Sequence, residues 1–183
     1  MKRGRPYLCL ANAITSASLV AGFLALVAAA RSTVAHAAVL VAVAAVLDSV
    51  DGAVARRTGS DTAFGANLDS LADLVSFGVV PATALYLRSL DALPVLGWAA
   101  CLSFLLAGAW RLARFPLVKQ SAHFVGLPIP VAGIVVMLVL LWGPGPVPVA
   151  IATVAAAALM VSTLPFPTVS GAAAAARSLG RGR

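Results

Sequence analysis

Residues 48–73 read DSVDGAVARRTGSDTAFGANLDSLAD, and eight of them stand in the pattern D-x2-D-G-x2-A-R-x8-G-x3-D-x3-D. Its four aspartates are Asp48, Asp51, Asp69 and Asp73, in a chain that has only six acidic residues. Carboxylates are costly in apolar surroundings, so four of them in so short a segment need a compensating partner. A divalent metal ion is the natural one. The segment therefore indicates a metal-dependent membrane enzyme.

The rest of the chain is strongly apolar. Of its 183 residues, 61% are hydrophobic and 10% are charged, and the mean hydropathy is +1.00. A soluble domain is nearer a quarter charged, so the composition predicts an integral membrane protein that forms one compact bundle. The net charge of +7 would suit nucleic acid, but no soluble basic module is present to bind it. We expect no nucleic-acid partner.

Six apolar segments predict an all-α polytopic membrane bundle of six transmembrane helices. The fifth segment is short for a span, and a start near Val125 would lengthen it. We predict a basic cytoplasmic N-terminus over residues 1–11, a transmembrane catalytic domain over 12–164 and a basic cytoplasmic tail over 165–183. The six segments are approximately Asn12–Ala30, Thr33–Arg56, Thr62–Leu87, Pro94–Phe115, Pro130–Trp142 and Val147–Leu164.

The basic residues sort onto one side of this topology. Of the 13 lysines and arginines, only Arg31 and Arg88 fall on the opposite side. Positively charged loops face the cytoplasm, so the pattern predicts a multi-pass cell membrane protein with both termini and the acidic site on the cytoplasmic side. The residues on the cytoplasmic side are Lys2, Arg3, Arg5, Arg56, Arg57, Arg111, Arg114, Lys119, Arg177, Arg181 and Arg183.

Helical periodicity places the spaced residues of each segment on one face. Positions 48, 51, 52, 55 and 56 share a face of the second helix, and 65, 69 and 73 form a stripe on the third. Antiparallel packing of these helices would bring all four carboxylates to a similar depth. Four oxygen donors without histidine or cysteine favour a hard cation, Mg2+ or Mn2+.

The small and basic residues on this face point to a phosphate ligand. Gly52 and Ala55 leave room for a ligand beside the backbone, and Arg56 can offer a fork of hydrogen bonds to a phosphate. Metal ions and an arginine beside a membrane suggest a lipid diphosphate, with a spare carboxylate to deprotonate an attacking hydroxyl. Aspartates in membrane helices also line ion paths, so a small cation transporter is the alternative of a different class.

The spaced pattern is similar to the signature of the CDP-alcohol phosphatidyltransferases at every position. The resemblance implies a six-helix membrane fold, usually a homodimer, that binds a CDP-linked lipid and two divalent cations. It implies that Asp48, Asp51, Asp69 and Asp73 are the metal ligands and that Asp73 is also the general base. It further implies that Gly52, Arg56 and Thr62 contact the CDP part of the lipid.

Further stretches resemble the phosphatidylserine synthase branch of this family, among them NAIT at 12–15, RLARF at 111–115 and FVGLPIP at 124–130. This resemblance implies transfer of a phosphatidyl group from CDP-diacylglycerol to L-serine, with release of CMP. Glycerol 3-phosphate, inositol or inositol phosphate are alternative acceptors. Ala11 departs from the family, in which a proline commonly precedes the asparagine.

Several polar residues near the predicted site have two interpretations. Asn12 and Thr15 lie one turn apart at the start of the first helix, where they either cap that helix or contact the nucleotide. Arg111 and Arg114 either hold the acceptor, through the carboxylate of serine, or a lipid phosphate, or else they are surface charges that set the topology. For Asp61, in the turn before the third helix, we predict helix capping.

Overall fold

A computed structural model describes residues 10–59, 62–118 and 126–162, with residues 115–118 described by their backbone alone. All regular structure in these ranges is helical. A π-helix, Leu74–Val79, joins α3 to α4, and a 3-10 turn, Leu90–Ala92, precedes α5. The α-helices are α1 (Leu10–Ala30), α2 (Val34–Thr58), α3 (Ala63–Asp73), α4 (Val80–Arg88), α5 (Pro94–Val118), α6 (Ile129–Trp142) and α7 (Pro146–Val161).

The helices match the six apolar segments in order when α3, the π-helix and α4 are counted as one composite helix. Among the described residues, four stretches are long and apolar enough to cross a bilayer: α1, α2, the composite helix Ala63–Arg88, which runs from α3 through the π-helix to α4, and Pro94–Arg114 of α5. Helices α6 and α7, of 14 and 16 residues, are apolar but shorter than the roughly 20 residues of a typical span. The chain is therefore a polytopic helical membrane protein.

The start of α6 differs from the prediction near Val125. The helix begins at Ile129, because Pro128 adopts an extended conformation and Gly126 has a φ of +90°. Leu127 donates its backbone N–H to the carbonyl oxygen of Leu159, at 3.0 Å. The segment before α6 therefore packs on the end of α7 instead of adding a helical turn.

Small residues let the helices approach closely, as membrane bundles require. Six alanines at the helix contacts are completely buried or nearly so: Ala25, Ala29, Ala37, Ala44, Ala84 and Ala132. Large apolar side chains are exposed on many outer surfaces, where a bilayer would cover them. Trp98, Trp110 and Trp142 are at least half exposed near helix ends, which suits anchors at the membrane interface.

The π-helix is enclosed by neighbours that have no side chain at the contact. A Cβ at Gly22 of α1 would lie 2.2 Å from the Ser76 hydroxyl oxygen. A Cβ at Gly133 of α6 would lie 2.8 Å from the Phe77 carbonyl oxygen. Both Ser76 and Phe77 are completely buried. The two glycines therefore leave room for the π-helix, which directly follows Asp73, to pack closely against α1 and α6.

Some predictions fall outside the described residues. They concern the basic residues of the N-terminus, Asp61, Lys119 and the tail from residue 165 onward.

Candidate metal centre

Helix α1 is the common support of the two helices that carry the aspartates. It packs extensively on α2 and also on α3, whereas α2 and α3 make few backbone contacts with each other. Further along the composite helix, α2 also contacts the π-helix and α4. The approach of α2 to α3 is made through their aspartate side chains.

Three of the aspartates come together between α2 and α3. One carboxylate oxygen from each of Asp48, Asp51 and Asp69 lies within 4.8 Å of those of the other two. Asp51 is buried, and Asp48 and Asp69 are half-buried. The group combines two ligands from α2, one turn apart, with one from α3. Its mutual distances allow all three oxygens to bind one ion.

Asp73 lies one turn beyond Asp69 on α3 and borders the same group. Its carboxyl group contacts that of Asp48, which also contacts Asp69. Asp73 is half-buried and lies next to the π-helix. The four aspartates therefore form one continuous acidic cluster, with Asp48 at its centre.

Thr15 and Asn12 connect α1 to this cluster. The Thr15 hydroxyl group lies within hydrogen-bond reach of the Asp51 carboxylate, to which it can donate, and is 3.0 Å from the Ala11 carbonyl oxygen. The Asn12 side-chain oxygen would lie 2.9 Å from a Cβ at Gly65 of α3. Both residues lie inside α1, which begins at Leu10, so neither caps that helix.

Thr62 caps the helix that carries Asp69 and Asp73. It has an extended conformation, and its hydroxyl oxygen accepts a hydrogen bond from the Gly65 N–H, at 3.0 Å. This is the usual geometry of a helix N-cap. Thr62 is therefore the N-cap residue of α3.

Arg56 lies over Gly52 on the outer part of the aspartate face. Its Nη1 atom is 3.2 Å from the position that a Cβ would occupy at Gly52. The space that Gly52 leaves is thus available to the guanidinium group of the same helix. Ala55 is half-buried beside it, and Arg56 itself is exposed at the end of α2.

Arg111 and Arg114 differ in their surroundings although they lie one turn apart on α5. Arg114 is exposed, whereas Arg111 is half-buried. The charge of Arg111 interacts with that of Asp73. The structure therefore brings Arg111 to the acidic cluster and leaves Arg114 at the surface.

The residues present fit a divalent cation. The donors are carboxylate oxygens alone, which Mg2+ and Mn2+ prefer. Uncompensated acidic groups at membrane depth are costly, and the described part of the chain places one half-buried arginine beside them. Asp48, Asp51 and Asp69 could hold a metal ion.

Two features of the site were not predicted from the sequence. One is the contact of Asn12 with Gly65, and the other is the hydrogen bond between Thr15 and Asp51. The three-residue spacing of Asn12 and Thr15 placed both on one face of α1, but it did not indicate which helix that face would meet. Gly65 was the available signal, since a glycine on a helix face often permits a close contact.

Comparison with known proteins gives the family. The CDP-alcohol phosphatidyltransferase family model matches residues 8–169, which is most of the chain. The chain belongs to this family. The acidic cluster of α2 and α3 lies within the matched region, so it is the cluster of a CDP-alcohol phosphatidyltransferase family member.

Several relatives are named CDP-diacylglycerol–serine O-phosphatidyltransferase. The protein from Methanocaldococcus jannaschii is 46% identical over 90 residues, covering 49% of this chain and 43% of the relative. The one from Mycobacterium tuberculosis is 40% identical over 148 residues, covering 76% and 51%. The one from Helicobacter pylori is 35% identical over 133 residues, covering 71% and 56%. This chain thus matches about half the length of these relatives.

Proposed function

We propose that this family member transfers the phosphatidyl group of CDP-diacylglycerol to L-serine, giving phosphatidylserine and CMP. The observation that carries the proposal is the convergence of Asp48, Asp51 and Asp69 within 4.8 Å, beside Asp73. The family and the printed names of the relatives support the donor and the acceptor.

The donor would lie along the faces of α1, α2 and α3 that surround the aspartates. Asp48, Asp51, Asp69 and Asp73 would hold two divalent cations, Mg2+ or Mn2+. When bound, such ions neutralise negative charge on the diphosphate oxygens. The residues proposed to contact the CDP-lipid are Asn12, Thr15, Gly52, Arg56 and Thr62.

The position of each residue in the fold supports its proposed contact with the lipid. Arg56 can donate a fork of hydrogen bonds to a phosphate, and Gly52 lets its guanidinium group lie close to the backbone. Asn12 and Thr62 both adjoin Gly65, at the start of α3. Thr15 bonds to Asp51 and therefore orients that carboxylate as well as facing the site. For Arg114, which is exposed, we propose contact with a lipid phosphate.

Asp73 is the proposed general base. The serine hydroxyl oxygen forms a bond to the lipid-bearing phosphorus, and its proton passes to Asp73. The bond between that phosphorus and the oxygen bridging to the cytidylate breaks, and CMP leaves with the electron pair. Asp73 suits this role because it lies at the inner end of the acidic cluster, adjoining Asp48, and is near enough to Arg111 for their charges to attract each other.

We also propose that both termini and the site face the cytoplasm, and that the protein is a homodimer. The distribution of basic residues supports the orientation. The resemblance to the family supports the dimer, which chemical cross-linking in native membranes would test.

The test is an assay of purified protein with CDP-diacylglycerol, Mg2+ or Mn2+ and a panel of alcohols, with the products identified by mass. We expect phosphatidylserine and CMP, and no turnover after chelation of the metal. We expect Asp73→Asn to abolish turnover while CDP-diacylglycerol binding survives, because an amide cannot accept the proton. Arg57→Gln, an exposed change outside the site, is the matched control and should keep normal turnover.

Other outcomes of the same assay decide against the proposal. If product forms only with glycerol 3-phosphate, inositol or inositol phosphate, that compound is the acceptor and serine is not. Robust activity of Asp73→Asn would remove Asp73 as the base. Metal flux in liposomes without CMP release would favour a cation transporter, the alternative for aspartates in membrane helices.

A further inference from the structure

Ile129, the first residue of α6, lies between the π-helix and α5. Its side chain is completely buried. The Ile129 Cδ1 atom is 3.7 Å from the position that a Cβ would occupy at Gly78 of the π-helix, and 2.6 Å from the corresponding position at Gly108 of α5. Because both neighbours are glycines, the isoleucine fills space that their side chains would otherwise take.

This contact lies about one turn deeper in the bundle than the proposed base. Gly78 follows Asp73 by about one turn, and Gly108 precedes Arg111 by about one turn. The charges of Asp73 and Arg111 attract each other, so the two groups border the same space. The Ile129 side chain closes this space at its inner end, on the side away from the rest of the acidic cluster.

The backbone that leads into Ile129 is held on the end of α7. Leu127 donates its N–H to the Leu159 carbonyl oxygen, at 3.0 Å. A Cβ at Gly126 would lie 2.5 Å from the Met160 carbonyl oxygen, so this segment packs closely on α7. Ile129 is therefore fixed both by its backbone and by its side chain. A fixed wall excludes a larger ligand more strictly than a mobile one, because closely packed side chains give way only at a cost.

We propose that Ile129 limits the size of the acceptor and makes the site prefer serine to threonine. This inference rests on the proposed function. A serine whose hydroxyl group is at Asp73 has its hydroxymethyl carbon beside that carboxylate. Threonine carries an additional methyl group on the same carbon, and this methyl group would need room at the inner end of the space, which Ile129 occupies.

The test measures kcat/KM for L-serine and for L-threonine with Ile129→Val, which lacks the Cδ1 atom that contacts both glycines. We expect the ratio of kcat/KM for serine to that for threonine to fall at least about tenfold, as for one methylene group in an apolar pocket. If wild type makes no detectable phosphatidylthreonine, its formation by Ile129→Val is the expected result. Val136→Ala is the matched control, because Val136 is also completely buried on α6, about two turns further along.

Ile129→Ala gives a second measurement, in which a larger part of the side chain is removed and the ratio should fall further. Ile129→Val is among the mildest truncations of a buried side chain, and CDP-diacylglycerol binding reports on the folding of each variant. A ratio within about twofold of wild type in both variants, or the same fall in Val136→Ala, would overturn the inference while leaving the proposed function intact. Absence of phosphatidylserine from the wild-type reaction would instead overturn the proposed function itself.

Discussion

At the scale of single residues, Thr15 shows how a neutral side chain serves a charged site. Its hydroxyl group reaches Asp51, which is 4% exposed. A ligand carboxylate held by a hydrogen bond keeps one orientation, and such supporting bonds typically change metal affinity 10- to 100-fold when removed. Thr15 thus orients Asp51, one of the three aspartates whose carboxylates could hold a metal ion.

Replacing Thr15 by valine tests this support. We expect the concentration of Mn2+ that gives half-maximal activity to rise at least about tenfold, because Asp51 loses the bond that orients it. Ser16→Ala is the matched control, since the Ser16 hydroxyl group donates to the Asn12 carbonyl oxygen of its own helix, at 2.7 Å. A Thr15→Val protein with the Mn2+ dependence of wild type would contradict this role.

The sequence predicted the aspartates but not their supports. Asp48, Asp51, Asp69 and Asp73 are identified by spacing alone, because offsets of three and four residues define one helical face. Thr15 gave no such signal, since a threonine in an apolar helix also bonds to its own backbone. Its partner could be named only once the packing of α1 on α2 was known.

At the scale of elements, the π-helix after Asp73 is the least ordinary part of the fold. A π-helix within a longer helix is rare and occurs often at functional sites. Here it is buried between Gly22 of α1 and Gly133 of α6. Its position fixes the last aspartate of α3 against the rest of the bundle. It could not be predicted from the residue pattern, because a continuous apolar segment does not distinguish π-helical from α-helical turns.

Gly22→Ala tests the contact between α1 and the π-helix. The new Cβ would lie 2.2 Å from the Ser76 hydroxyl oxygen, so we expect a loss of about 1–3 kcal/mol of stability, measured as a lower thermal unfolding temperature in detergent. Adding Ser76→Ala should restore part of the loss by removing that oxygen.

Ser76→Ala alone is the control for this experiment. The Ser76 hydroxyl oxygen is buried with no hydrogen-bond partner among the described residues, so its removal should be neutral or stabilising. A Gly22→Ala protein that unfolds at the wild-type temperature, or a double variant no more stable than Gly22→Ala, would show that the two helices are not packed as described.

At the scale of the whole molecule, hydropathy and charge predicted the polytopic helical architecture, since the bilayer imposes length and apolar composition on every span. Which helices contact one another was harder to predict from the sequence. The packing of α3 on α1 brings the Asn12 side-chain oxygen against Gly65, and no periodicity within one helix reveals such a pair.

The proposed orientation can be tested with single cysteines in a protein whose Cys9 and Cys101 are replaced by alanine. Ser32, between α1 and α2, and Thr58, at the end of α2, are both exposed. A membrane-impermeant maleimide should label Ser32→Cys in intact cells, and Thr58→Cys only after permeabilisation, because Arg56 and Arg57 mark the cytoplasmic end. The reverse labelling pattern would place the site on the outer side.

The support that α1 gives to α2 has a consequence for the order in which the protein is made. Synthesis proceeds from the N-terminus, so the hairpin of α1 and α2 enters the membrane before α3 exists. Thr15 can already bond to Asp51 within that hairpin. We therefore expect Asp48 and Asp51 to be in position on this hairpin before α3 is inserted and brings Asp69 and Asp73 beside them.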